Sequence, residues 1–265
     1  MRVFISADIE GITGVTRWEE TRYGGQGYAE ACMQMTKETA AACKAAQDMG
    51  YEVVVKDGHE DAVNIDMNGM PRGVEMIRGW RCSPAAMMGG LDESFQAAIY
   101  IGYHAPEGSD GSPLAHTVEH GWFNWIKIND CLASEFTLNA LWAVAYKVPS
   151  VFISGDKCIC EQAKTICEDI VTVATKDGTG NSTWSKHPMD VIDSIYEGVQ
   201  EALNGSHNLI CLENEYKMDI CFKEHQRARA ASWYPGTTLI NPTTVSYTAK
   251  DPIELITAKM FMTEI

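Results

Sequence analysis

Met1-Arg-Val-Phe-Ile-Ser-Ala-Asp8-Ile-Glu10-Gly11 opens the chain with a short apolar run that ends in acid. Val3, Phe4 and Ile5 have the pattern of a strand buried on both faces. Asp8 and Glu10 do not fit inside a sheet, because burying an ionised carboxylate without a partner is very costly. Either the strand ends near Asp8 or something positive sits beside it. The spacing Asp8-x-Glu10 sets two hard oxygen donors close together, and Gly11 permits a sharp exit. This is the pattern expected of the floor of a metal site. An ordinary strand end with solvated acids accounts for the same residues.

The elements that follow repeat the strand-then-polar-residue theme. Tyr28, Cys32, Met35, Thr39, Ala42 and Ala46 recur at helical spacing, which predicts a helix over 28–48 closed by Gly50. A strand over 52–56 runs into Asp57-Gly-His59. Residues 60–94 are rich in glycine and proline, with room for a short helix near 71–78. A third strand, 97–103, leads directly into His104. A strand is expected over 123–129, then a helix over 135–146 with Ser134 as its N-cap. The fourth core strand, 151–154, ends in Gly155-Asp156, and a helix continues to about 167. Alternating strands and helices predict an α/β fold with a largely parallel central sheet and flanking helices. In such sheets ligands bind beyond the carboxyl ends of the strands, and here four core strands end in Asp8, His59, His104 and Asp156.

Past residue 169 the texture changes to a strand at 170–174, a loop at 176–181, a helix at 188–203, an alternating strand at 216–222, a helix at 223–232, strands at 237–240 and 243–248 around an Asn241-Pro242 turn, and a last helix begun by Asp251-Pro252. The expected organisation is a metal-binding catalytic α/β domain over 1–168 and a smaller C-terminal α+β lobe over 169–265.

Bulk properties narrow the function. The formal net charge of −15 over 265 residues argues against nucleic acid as a partner, since phosphate binding needs a basic face. No apolar run approaches the ~20 residues that span a bilayer. Arg2 is followed by only five residues before Asp8 interrupts, too few for the apolar region of a signal peptide. These readings give a cytoplasmic protein without a membrane partner. The nine cysteines lack zinc-finger spacing and read as reduced thiols.

The candidate metal ligands are Asp8, Glu10, His59, His104 and Glu135. Two histidines and three carboxylates exceed what one tetrahedral zinc takes and suit two metals sharing a bridging carboxylate. Asp8, at the end of a central strand, is the natural bridge. Mixed imidazole and carboxylate favours zinc, with manganese, iron and cobalt also compatible. A hydrogen-bonded structural role is the plainer alternative for either histidine, and the helix dipole alone accounts for Glu135 in a first helical turn.

Ser6-Ala-Asp8-Ile-Glu10-Gly11, Asp57-Gly-His59, Gly102-Tyr-His104-Ala105, Ser134-Glu135 with Asn139-Ala140, and Ser154-Gly-Asp156 together resemble the D-aminopeptidase family of di-zinc peptidases, the M55 group. The motifs occur in family order over residues 1–160. The family often has Asp-Ser-His-Gly where this chain has Asp57-Gly-His59-Glu60, which puts an extra charge beside the site. The resemblance implies metal ligation by Asp8, Glu10, His59, His104 and Glu135, two zinc ions per chain, and a catalytic role for His116. The implied activity is release of N-terminal, D-configured residues from short peptides by a hydroxide generated between the metals. His116 then serves as proton donor to the leaving amine or as oxyanion stabiliser. The resemblance also implies a homo-oligomer, a decamer of two stacked pentameric rings. Clustered aromatics at Trp122, Phe123 and Trp125, and at Trp233 and Tyr234, fit either an interface or the core. A di-metal phosphoesterase and a non-catalytic metal-dependent binding protein are the alternatives. No basic cluster for a phosphoryl group accompanies the ligands.

Overall fold

The computed structural model describes residues 1–263. Seven strands form a large sheet: β1 (Arg2–Ala7), β2 (Glu52–Asp57), β3 (Glu75–Ile77), β4 (Ala97–Tyr103), β7 (Ser150–Asp156), β8 (Val171–Thr179) and β9 (Ser182–Ser185). Five more form a second sheet: β5 (Phe123–Ile128), β6 (Cys131–Leu132), β10 (Tyr216–Phe222), β11 (Thr238–Asn241) and β12 (Thr244–Ala249). The helices are α1 (Tyr28–Asp48), α2 (Glu135–Ala145), α3 (Lys157–Ile166), α4 (Pro188–Asn204), α5 (His225–Ala231) and α6 (Pro252–Thr263).

The large sheet has the order β3-β2-β1-β4-β7-β8-β9 and is parallel except for the β8–β9 hairpin. The expected largely parallel α/β fold is therefore present. The chain leaves β1 toward one edge through β2 and β3. It then returns to the other side of β1 with β4, β7 and β8. That reversal makes the gap between the ends of β1 and β4 the topological switch point, where open α/β sheets bind their ligands.

Strand periodicity divides the core. Val3, Ile5 and Ala7 point to one face, where Met35 and Ala42 of α1 and Val191 and Ile195 of α4 cover them. Phe4 points to the other, into a core with Tyr100, Tyr103 and Phe136. The second sheet closes that second face. All its pairings are antiparallel, and Phe123, Ile126, Ile220 and Phe222 turn inward. Its strands come from 123–132 and from 216–249, while the large sheet continues to residue 185, so sheet membership cuts across position 168.

Two local expectations need correction. The short helix near 71–78 is instead the edge strand β3, paired in parallel with Val54 to Lys56. A segment that short, broken by Pro71 and Gly73, is too small to nucleate a helix, and the open edge of β2 supplies partners. Likewise 176–181 is not a free loop, since β8 runs on to Thr179 and turns at Gly180 into β9. All nine cysteines are free thiols, and burial pushes those of Cys160 and Cys167 up to about 12.

Candidate metal centre

Main-chain contact fixes the floor of the site. Beyond β1 the chain stays against β4: the Asp8 amide donates to the Ile101 carbonyl at 2.8 Å and the Gly11 amide to the Gly102 carbonyl at 2.7 Å. A Cβ at Gly102, whose φ is +73°, would lie 2.2 Å from the Asp8 carbonyl oxygen. One at Gly11 would lie 1.8 Å from the Tyr103 carbonyl oxygen, and one at Gly155 1.9 Å from the same atom. Only glycine permits backbones this close. Behind the floor, Lys176 of β8 donates its ammonium to the carbonyls of Glu10 and Val15. Burial lowers that lysine to about 8.

Asp8, Glu10, His59, His104, His116 and Glu135 are all buried and converge at this point. His59 Nδ1 lies 3.3 Å from Asp8 Oδ1 and 3.2 Å from Glu10 Oε2. His104 Nε2 lies 3.4 Å from Asp8 Oδ2 and 3.5 Å from Glu135 Oε2. The two oxygens of Asp8 therefore face two different imidazoles. His116 stacks on His104, ring centroids 4.1 Å apart, and its Nε2 lies 3.6 Å from Glu135 Oε1. Each ring is anchored by its other nitrogen: His59 to the Thr21 carbonyl at 2.6 Å, His104 to that of Ala105 at 3.0 Å, and His116 to that of Leu114 at 3.0 Å. Anchors of this kind fix the tautomer and aim the free nitrogen at the site.

The electrostatics follow from burial plus pairing. Burial alone raises the Asp8 carboxyl, but hydrogen bonds and charge from His104 and His59 hold it well below the usual carboxylate range. Burial likewise raises Glu135, and the charges of His104 and His116 bring it below its ordinary value. His59 and His104 are pushed down by burial and pulled well above the usual imidazole range by Glu10, Glu135 and Asp8. Even so, Asp8 Oδ2, Glu10 Oε2 and His104 Nε2 make no well-aligned hydrogen bond. Buried polar atoms are rarely left so, and three that converge on one point fit a cation. Two sets of donor atoms each fall within 4.8 Å of one another, Asp8 with Glu10 and His104, and His104 with His116 and Glu135.

Asp156 does not join them. It caps α3, accepting from the amides of Ile159 at 2.8 Å and Ala105 at 2.7 Å. Asp57, one residue before Gly58-His59, accepts from Asn64 N, Ile65 N and Asn64 Nδ2 at 2.6–2.8 Å.

The centre opens into a cavity of about 530 Å³, within the usual range for small-ligand sites. Several of its walls were not evident in the sequence. Trp18, in a short 3-10 turn, stacks on His120 and meets His116 edge-on. Trp80 donates to the Glu60 carbonyl and lies over the Lys56 ammonium. Lys259 of α6 lines the cavity from the buried stripe of its helix. A lysine on an apolar helical stripe is a break in pattern that the sequence did display. Val118 also lines the cavity, with φ at +70°, an outlying conformation for a β-branched residue. Its amide donates to Glu135 Oε1 at 2.8 Å, so local strain is spent on orienting that carboxylate.

Comparison with known proteins agrees with this centre. The family model described as D-aminopeptidase matches residues 1–261, and the chain belongs to that family. A D-aminopeptidase of Bacillus subtilis (strain 168) is 28% identical over 270 residues, covering 100% of this chain and 97% of the relative. A solved structure, described as the Zn-dependent D-aminopeptidase DppA from Bacillus subtilis, a self-compartmentalizing protease, aligns with a TM-score of 0.93 at 28% identity. It covers 100% of this chain and 97% of that one. The protein is a metal-dependent aminopeptidase, and the phosphoesterase and binding-protein alternatives are not favoured. Among the described residues, no helix is long and apolar enough to cross a membrane.

Proposed function

We propose that this chain removes N-terminal D-amino acids from short peptides, with two zinc ions held by Asp8, Glu10, His59, His104 and Glu135. The observation that carries the reading is the division of Asp8, one oxygen facing His59, which also meets Glu10, and the other facing His104, which also meets Glu135. One carboxylate facing two donor sets is what a bridging ligand requires. Bound there, the metals supply Lewis acidity and an activated water for attack on the peptide carbonyl.

The side chains do the rest. Asp8 and Glu10, both buried, would balance the positive charge of the metals. His116 Nε2, aimed by the Leu114 carbonyl, stands beside Glu135 where it can hold a proton for the departing amine. Water adds to the carbonyl carbon, the C–N bond breaks, and that proton completes the new amino terminus. Trp18 packs on His116 and limits its motion.

The fold likeness to a self-compartmentalizing protease supports a homo-oligomer, and the family resemblance of the motifs extends that reading to two stacked pentameric rings. Trp184 and Trp233 are 87% and 78% exposed, and aromatic residues of this kind are enriched at interfaces. The test is a hydrolysis panel on zinc-loaded protein with D-Ala-D-Ala, its L,L isomer and a phosphoester, together with sedimentation at micromolar concentration. Turnover of the D-peptide with no turnover of the phosphoester is expected, by a species near ten chains. Inactivity on every peptide overturns the activity, and an active monomer overturns the ring.

A further inference from the structure

Trp18 has three neighbours that together make one wall of the cavity. It meets His116 edge-on with ring centroids 5.3 Å apart, His120 stacks on it at 4.3 Å, and the Arg22 guanidinium lies 5.8 Å from its ring centre. All four side chains line the cavity. Arg22 also donates from Nη2 to His120 Nε2 at 3.2 Å. A guanidinium cannot accept, so Nε2 is the acceptor and the ring proton sits on Nδ1, 3.2 Å from Glu119 Oε1. The His120 carbonyl in turn takes the Lys223 ammonium. Arg22 is therefore aimed by an imidazole that is itself held at both side chain and main chain.

This arrangement leaves the charge of Arg22 unused. Among the described residues Arg22 makes no ion pair, and its one polar contact is that imidazole. A guanidinium carries five N–H donors in a planar fork that matches a carboxylate. Most of them stay free here, on a side chain that is exposed. Of the lining carboxylates, Asp8, Glu10 and Glu135 face the histidines of the metal centre, and Glu119 faces His120.

Direction follows from His116. It stands where it can hold the proton for the departing amine, so groups beyond it face the leaving part of the peptide, not the residue released. Steps of 5.3 Å and 5.8 Å through Trp18 set the guanidinium no more than about three extended residues from His116, at about 3.5 Å each. A leaving part of one or two residues ends within that interval, and it ends in a carboxylate.

We propose that Arg22, aimed by His120, is a specificity residue that receives the C-terminal carboxylate of a di- or tripeptide. This rests on the aminopeptidase reading, with His116 as proton donor, and adds a substrate class to it. Peptides of two or three residues with a free C-terminus are favoured over blocked and longer ones. The contact is a charge-assisted pair at an exposed position, so salt weakens it.

The experiment measures kcat and KM for wild type, R22Q, R22M and R22K on D-Ala-D-Ala and D-Ala-D-Ala-D-Ala, each against its C-terminal amide, at low and at high salt. Wild type is expected to prefer the acid in at least one pair by about tenfold or more in kcat/KM at low salt, the scale of a hydrogen bond to a charged group, and by less at high salt. Preference in the first pair seats a dipeptide, and preference in the second a tripeptide. In R22Q and R22M the preference shrinks toward unity through KM, and R22K, which keeps the charge without the fork, retains part of it. No preference in wild type, or one that survives both neutral substitutions, overturns the proposal. Failure to cleave any of the four D-peptides overturns the D-peptide reading instead, and the corresponding L-peptide pairs then decide the proposal.

Discussion

Asp8 and Asp57 occupy equivalent places, just beyond or at the ends of neighbouring parallel strands, and both are buried. Their surroundings differ completely. Asp57 is met by the backbone amides of His59, Asn64 and Ile65 and by the side-chain amide of Asn64, and with them closes the loop that carries His59. Asp156, two strands over from Asp8, is satisfied in the same way by Ala105 and Ile159. Asp8 has one amide, from Ile9, and its Oδ2 faces only imidazole, without a proper hydrogen bond. A carboxylate saturated by amides is part of the scaffold. One left short of donors in the interior needs a cation. The same residue type at one sheet edge thus divides into structural and chemical roles by the count of N–H groups aimed at it.

That contrast can be broken most directly at Asp8. Asp8→Ala is expected to lose both metals and all measurable hydrolysis while remaining folded, read by metal analysis and circular dichroism on one preparation. Retention of two metals would show that Asp8 is not the bridge. Next in size is His116→Ala. It should keep its metal content and lose roughly 10²–10⁴-fold in kcat, the usual contribution of a positioned acid–base group. A loss of metal instead would move His116 into the ligand set, alongside His104 and Glu135.

The scaffold side of the comparison predicts the reverse pattern. Asp57→Ala strands four buried donors and should destabilise the fold by about 3 kcal/mol or more, lowering Tm by roughly 10 °C for a chain of this size. The protein that remains folded should still bind metal. Thermal melts with metal titration separate this from the Asp8 result. The smallest effect concerns Glu38, buried behind the site and bonded to the Thr13 amide and to Gln34. Burial raises its carboxyl from 4.5 to about 7. The folded state therefore holds a proton that the unfolded state has released, and stability falls as pH rises through that window. Glu38→Gln should flatten the slope of Tm between those pH values, and an unchanged slope would assign it to other groups.

Much of this was visible in the sequence because the signals were strong and local. The stripe of Tyr28 to Ala46 gave α1 its limits, and the run Ala97–Tyr103 gave β4, since each element satisfies its own backbone and shows one clear period. The strands of the second sheet were expected one by one. Their union was not, because Phe123–Ile128 and Tyr216–Phe222 pair across some ninety residues and nothing local records it. The edge strand β3 is three residues long and owes its form to β2. At the site, strand-end position singled out Asp8, His59 and His104, but it singled out Asp156 equally, since hydrogen-bond satisfaction is a tertiary property. His116 lies on an irregular segment, and only the family resemblance pointed to it. Trp18 follows Glu10 by only eight residues, but its contacts are with His116 and His120, about a hundred residues on, and nothing local records them.

The three glycines at the strand ends carry a further consequence. Gly11, Gly102 and Gly155 let the main chains of β1, β4 and β7 touch beneath the centre, with contacts too close for any Cβ. The spacing between Asp8 and His104 is therefore gauged by peptide against peptide, not by side-chain packing. A floor built this way has little slack, so the candidate ligands it carries are held in place by the main chain itself. It also separates two kinds of change. Trp18, Met87 or Lys259 can be altered to admit a different peptide without moving the floor, whereas a single methyl group added at Gly102 forces the two central strands apart and detunes both metal positions together.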